Sequence, residues 1–596
     1  MKTTKKLFSM LLALIMVVSA AMPAFAASDD YTITITNSDA ISSAGHVYKA
    51  YQIFKGTLKT DDSDALGNIE WGDNINGTTF ITELNNTTDD ATKKAVAHFV
   101  KDGVNIFKDA KTAKDVANIL AENKTADIVN AFAAVATAKK IGNPIAESAE
   151  TDAPYTIKIP KEKAGYYLVV DTLNGTDTTN KDISDFILQV AGNTTVEHKG
   201  SIPTMEKTVS ETGENYYTSI VSGIGDVHYY KIVAELPDDY ALYDTYKIVF
   251  KDTMSKGLTF IDGTGSKITM KALIRSSNKN ITIDPSSYRV DVVPNADGTT
   301  SLEVTIDNTK ATTFKSADVG AGNPHIILSS SDAIEIIYSA TVDKNAVVDG
   351  KGIPNNAYLE YSNDPKSDGT GTTTPDGTLV YPITLEVIKH EANNVSATLA
   401  DAEFVLAREH SDGVNTHMEY ALVEEVTDQI PDGSGGFTPV TTKKIKKWVH
   451  HYTGDGCESD NTDHQAAETA GDLGTILVTD SNGKISVSGL DARLYFFIET
   501  KAPAGYNNLT APVEVKVTAK SSQTTDRLES LDATTNQGKA TTDANIAKVT
   551  VMIPNYVGQT LPQTGGIGTT LFYVVGGAMV AFAVLSLITK KRMNKE

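Results

Sequence analysis

The thirteen residues LYFFIETKAPAGY, Leu494 to Tyr506, decide how the rest of the chain is read. Tyr495, Phe497 and Glu499 alternate with their neighbours as strand residues do, and the Ala-Pro-Ala-Gly that follows is a turn. An acid on that strand is expected to be buried beside aromatic rings. There it keeps its proton and can donate a hydrogen bond to a carbonyl.

Working outward, the segment around this strand opens with YPITLEVIKHE and closes with KVTVMIPN, two further alternating runs. Its interior holds a long polar excursion, 411–471, expected to form surface loops. LYFFIETKAPAGY closely resembles the E-box of the collagen-adhesin-B-type (CnaB) immunoglobulin-like domains of Gram-positive pilins and adhesins. In that family a first-strand lysine and a last-strand asparagine join in an intramolecular isopeptide bond, assisted by the E-box glutamate. The resemblance assigns these roles to Lys389, Asn555 and Glu499. The chemistry is sound by itself: burial favours the neutral, nucleophilic Lys389 amine, and a protonated Glu499 polarises the Asn555 side-chain carbonyl until ammonia leaves.

Upstream, PTMEKTV, DVHYYKIVAELP, DTYKIVFKDTM, SLEVTID and AIEIIYSATV are short alternating strands separated by Gly, Asn, Asp and Pro, the pattern of an all-β sandwich. SNDPKSDGTGTTTPDGT after them reads as a linker. This segment is similar to the middle domain of the same pilins, which implies Lys207, the acid Asp252 and Asn355 as a second bond-forming set, with Asn356 as the alternative asparagine. The first segment has strands at YTITITNSD, AGYYLVVDT and DFILQVAG. Between them, Val116, Ile119 and Leu120, then Ile128, Phe132 and Val135, fall at helical spacing, with Asp115 near the start. Asp171 stands in the acid's place and Asn193 could close the set, but the first strand has no lysine, so no bond is expected there.

The expected architecture is therefore all-β, with tandem immunoglobulin-like (CnaB-type) sandwiches and a helical insertion in the N-terminal domain. The boundaries are a signal peptide at 1–26, domains at 27–200, 201–379 and 380–556, and a sorting region at 557–596. The leader follows from lysines 2, 5 and 6, a short apolar run and Ala24-Phe25-Ala26. At the other end, 571–588 is apolar or small throughout and precedes Lys590, Lys591 and Arg592, a stretch long enough to span a membrane with its basic tail in the cytoplasm. Between the leader and Thr564 there remain 46 basic and 74 acidic residues, a net charge of −28, which repels nucleic acid. With Cys457 alone, no internal disulfide can form.

Leu561-Pro562-Gln563-Thr564-Gly565, an apolar span and a basic tail together resemble the tripartite cell-wall sorting signal cut by sortases. The resemblance implies that a sortase cysteine attacks the Thr564 carbonyl and that an amine completes the transfer. A cell-wall amine gives an anchored monomer, and a lysine of another copy gives a covalent polymer. Backbone pilins supply that lysine where their first two domains meet. Here the junction reads TTVEHKGSIPTMEKTV and offers Lys199, with Lys161 and Lys163 in IPKEKAG as rivals.

No nucleophile elbow or phosphate loop is present. His450, His451, Cys457 and His464 match no structural zinc spacing, so neither cofactor nor metal is expected. The reading is a non-enzymatic, cell-wall-anchored shaft pilin joined from Thr564 of one subunit to Lys199 of the next. Its expected partners are a class C pilin sortase, a housekeeping sortase, further copies of itself, minor pilins and peptidoglycan. The alternative is a wall-anchored adhesin or accessory pilin that binds host or neighbouring-cell ligands.

Overall fold

The computed structural model describes residues 30–557 apart from short breaks, the longest at 451–464. The leader, the sorting motif 561–565, the apolar span 571–588 and its basic tail, Lys199, His451, Cys457 and His464 lie outside the described residues. Among the described residues no helix is long and apolar enough to cross a membrane.

In the first unit, strand β1 (Asp30–Thr36) lies between β3 (Tyr155–Pro160) and β6 (Thr194–Glu197), while β2 (His46–Leu58), β4 (Gly165–Leu173) and β5 (Phe186–Val190) form a second sheet. Ile33, Ile35, Tyr48, Ile157, Tyr167 and Val196 fill the space between the sheets. The other face of β2 and β4 takes the helical insertion: Val116 of α1 (Ala113–Glu122) and Phe132 of α2 (Ala126–Lys139) share a core with Phe54 and Leu168. Burial on both faces shows in β2, where five successive residues, Ala50 to Phe54, are buried. Thr112 caps α1 and Asp115 completes a capping box three residues in, which fixes where the helix begins.

The middle unit is a two-sheet sandwich. One sheet includes β7 (Thr204–Ser210), β8 (Val227–Glu235) and β10 (Ala333–Val342); the other includes β9 (Ile248–Met254), β11 (Ile353–Ser362) and β12 (Asp376–Tyr381). Alternation along β8 and β10 sends Tyr230, Ile232, Ile336 and Tyr338 into one core. The stretch expected to be a linker is instead sheet: residues 370–372 and β12 both pair with β11. Its polarity reflects a contact, since the Asn180 N–H of the first unit donates to the Thr372 carbonyl at 2.7 Å.

Only Pro382 separates β12 from β13 (Ile383–Glu391), which opens the third unit. Its strands form one continuous sheet that curls on itself, including β14 (Glu403–Ser411), β15 (Thr416–Pro431), β16 (Phe437–His450), β17 (Lys484–Leu490), β18 (Leu494–Lys501) and β19 (Lys548–Asn555). The polar excursion is therefore corrected too. Much of it is the β15–β16 ribbon, whose alternating charges pair across strands, as Lys443 does with Glu425 at 2.7 Å. The ribbon continues the sheet from β14 and returns it to β17 through Lys444 and Ser488.

Where the middle and third units meet, Asp226 lies 3.7 Å from Arg493 and 3.9 Å from Arg408. Burial, then repulsion from Asp491, lifts its carboxyl to about 6 against the pull of the two arginines. The folded chain thus holds this proton more tightly than the unfolded chain does. The group's contribution to stability is full below the ordinary carboxyl value and is lost as pH rises through about 6. A quarter of the side chain remains exposed, which limits the effect to about 1 kcal/mol. Between pH 4 and pH 7, the stability of the wild type relative to Asp226→Asn should therefore fall by that amount, as read from denaturant melts. A constant or rising difference would refute the assignment.

Candidate functional site

Two buried clusters bring together the residues assigned from sequence. In the third unit, Lys389 projects inward from β13, where inward and outward positions alternate. β19 runs parallel beside it with Lys389 opposite Ile553, so Asn555 occupies the diagonal position on the same face. Both side chains are buried, as is the side chain of Glu499, which comes from β18 across the core. Lys389 Nζ lies 2.9 Å from Glu499 Oε1 and 5.3 Å from the Phe404 ring centroid. Burial pushes the amine below its usual range, opposed by the attraction of Glu499.

Glu499 acts as an acceptor: its Oε2 accepts the Leu509 N–H at 2.7 Å, while the Asn555 Oδ1 that it was expected to polarise accepts the Tyr556 N–H at 3.1 Å. The turn after β18 explains the wording of the motif. Gly505 takes a φ of +89°, which favours glycine, and Tyr506 donates its hydroxyl to Glu391 on β13 at 2.5 Å. Asn507 donates to the Tyr556 carbonyl at 3.1 Å, just past Asn555. One turn thereby ties the acid's strand to both the first and the last strand.

In the middle unit, Lys207 on β7 reaches across the sandwich to Asp252 on β9, with which its ammonium is in direct contact. Asn355 on β11 sits diagonal to Asp252, because Met254 pairs with Asn355 and Asp252 with Ala357. Asn355 is fully buried and Asn356 is exposed. A residue not singled out from sequence completes the cluster. The Tyr338 hydroxyl, on β10, donates to Asp252 Oδ2 at 2.6 Å, accepts from Asn355 Nδ2 at 2.8 Å and accepts from Lys207 Nζ at 3.2 Å. The only hint of it in the sequence is an inward position in AIEIIYSATV. Burial lowers the Lys207 amine and raises the Asp252 carboxyl, so both groups move toward their neutral forms.

The first unit is built differently. Asp171 is buried, but its Oδ1 lies 2.9 Å from His46 Nδ1, and among the described residues its ion-pair partners are histidines. Asn193 instead accepts the Thr32 backbone N–H at 3.0 Å.

Residues 457–530 match the prealbumin-like fold domain family SpaA, and residues 553–595 match the LPXTG cell wall anchor motif. The chain thus carries a prealbumin-like fold domain and an LPXTG cell-wall anchor motif. Over 455 residues it is 26% identical to the "Trypsin-resistant surface T6 protein" of Streptococcus pyogenes serotype M6, covering 71% of this chain and 75% of that protein. Among solved structures it is similar to the T6 backbone pilin of serotype M6 S. pyogenes, with 16% identity, coverage of 90% of this chain and 100% of that one, and a TM-score of 0.41. It is also similar to the major pilin SpaD of Corynebacterium diphtheriae, with 16% identity, coverage of 91% and 100%, and a TM-score of 0.38.

Proposed function

We propose that the protein is the shaft subunit of a covalently polymerised, cell-wall-anchored Gram-positive pilus. In this reading a class C pilin sortase cuts between Thr564 and Gly565 and joins Thr564 to Lys199 of the next copy. A housekeeping sortase fixes the finished fibre to peptidoglycan, and minor pilins decorate it. The observation that carries the reading is the pairing of a sorting signal with two buried Lys–acid–Asn clusters in tandem sandwiches. A boiled wall extract of cells expressing the protein with its sortase should give a high-mass ladder on immunoblots, and removal of residues 561–565 should abolish it. A single anchored band in the intact protein would favour the adhesin reading instead.

Within each cluster the lysine amine attacks the asparagine Cγ. The new C–N bond replaces the bond to Nδ2, and the amine surrenders one proton so that the amide nitrogen leaves as ammonia. In the middle unit Asp252 contacts the amine that loses a proton and Tyr338 contacts the nitrogen that gains one. Tyr338 and Asp252 together form the relay between them. General acid–base assistance of this kind contributes about 10²- to 10⁴-fold, so Tyr338→Phe should slow bond formation by about 10²-fold while preserving the fold. The loss of about 17 Da per bond, followed by mass spectrometry on freshly folded protein, gives the rate. Wild-type speed in the variant would remove Tyr338 from the mechanism.

A further inference from the structure

The first unit, which has no Lys–acid–Asn set, holds a different buried cluster. His46 at the start of β2, Asp171 on β4 and His198 just after β6 each offer one ligand atom, and these atoms all lie within 4.8 Å of one another. All three side chains are inaccessible to solvent. His46 Nδ1 lies 2.9 and 3.0 Å from the two Asp171 oxygens, and His198 Nδ1 lies 3.6 Å from Asp171 Oδ2. The Tyr48 hydroxyl, 2.9 Å from His198 Nδ1, is a fourth donor.

We infer that His46, Asp171 and His198 bind a divalent transition-metal ion of the zinc type, with the Tyr48 hydroxyl at the fourth corner. A tetrahedral ion with arms of about 2.0–2.2 Å requires donors about 3.3–3.6 Å apart; the His198–Asp171 edge, at 3.6 Å, meets this, and the His46–Asp171 and His198–Tyr48 edges, both at 2.9 Å, open slightly to admit the ion. Two imidazoles and a carboxylate form a donor set that suits zinc and its neighbours in the first transition row.

Charge argues in the same direction. Asp171, Asp182 and Asp239 are all buried, and among the described residues the ion pairs that reach Asp171 and Asp182 come from histidine alone. Burial disfavours the ionised form of all three carboxyls, and a dication held by Asp171 would offset that penalty. On the far side of the rings, His46 Nε2, His198 Nε2 and Asp182 Oδ2 are buried without hydrogen-bond partners. His198 Nε2 faces Asp182 Oδ2 at 4.0 Å, and Asp182 Oδ1 accepts the Tyr243 hydroxyl of the middle unit at 2.8 Å. A histidine bound through Nδ1 turns its Nε2–H toward such a carboxylate. Gly200 leaves room for this approach, because a Cβ there would meet Asp182 Oδ2 at 1.9 Å and His198 Nε2 at 2.5 Å.

The consequence is a coordination cross-link. His46 and Asp171 belong to one sheet of the first sandwich and His198 follows a strand of the other, so the ion would tie the two sheets where the chain leaves for the middle unit. It would do for this unit what a Lys–Asn bond is proposed to do for the other two. Sequence inspection overlooks such a site because His46 lies 125 residues before Asp171 and the three ligands follow no spacing rule.

The mature chain, stripped with a chelator and titrated with zinc, should bind about one ion per chain, and its first unfolding transition should move to higher temperature. Cobalt in place of zinc should give the visible absorption of a tetrahedral site. A His46→Gln, His198→Gln double variant should bind at least tenfold less zinc. Because that variant could fail to fold, the titration of the wild type decides by itself: no saturable uptake and no shift in melting would overturn the inference. So would equal uptake by a folded double variant.

Discussion

Glu499→Gln and Asp252→Asn, combined, should return the chain to its full calculated mass, while the wild type runs about 34 Da below its own, one ammonia for each of two bonds. These substitutions keep the shape and hydrogen-bonding capacity of the acids but remove the carboxyl that takes and gives the proton. The neutral forms toward which burial drives Lys207, Asp252 and Lys389 are the ones the reaction needs. The effect on stability is expected to be large, because each bond closes a loop on the order of 150 residues, where chain-entropy arguments give about 5 kcal/mol. For units of this size that corresponds to about 10–20 °C in melting temperature per bond. Mutating one acid at a time should shift one transition and leave the other in place. A wild-type chain at its full calculated mass would sink the cross-linking reading, whatever the melting curves show.

Lys199→Ala should collapse the ladder to monomer while leaving both mass deficits intact, since the acceptor of the intersubunit bond takes no part in the intramolecular ones. Lys199 is proposed because it lies in the junction between the first and middle units. Of the rivals, Lys163 holds Asp73 at 2.7 Å, and Lys161 is exposed in a 3-10 turn. A ladder that survives in Lys199→Ala and disappears on replacing Lys161 or Lys163 would move the linkage to that turn. Survival through all three replacements would end the assignment of the acceptor to this region.

The strands around Glu499 and Lys389 were legible because alternation and turn chemistry are local properties. The helical insertion was legible for the same reason: its stripes and its capping box lie within a few residues of one another. The β15–β16 ribbon was not, since its charged residues gain their pairing only across a hairpin and read in isolation as solvent-facing loop. The stretch 362–378 was misread for a related cause, because its Thr and Gly residues serve a sheet edge and a contact with the first unit. Tyr338 lay hidden among many inward-facing aromatics. Its role depends on three partners from three other strands, which no spacing along one strand reveals.

The parallel alignment of β13 and β19 bears on compliance under tension. A pull that enters at Ile383 and leaves after Asn555 acts along the two neighbouring strands in opposite senses, so their hydrogen bonds are sheared together rather than opened one after another. With Lys389 joined to Asn555, tension bypasses everything between those residues. Without the join, that segment could pay out on the order of 500 Å of slack. With it, the third unit behaves as an inextensible link, and any give in the fibre is confined to the short connections between units.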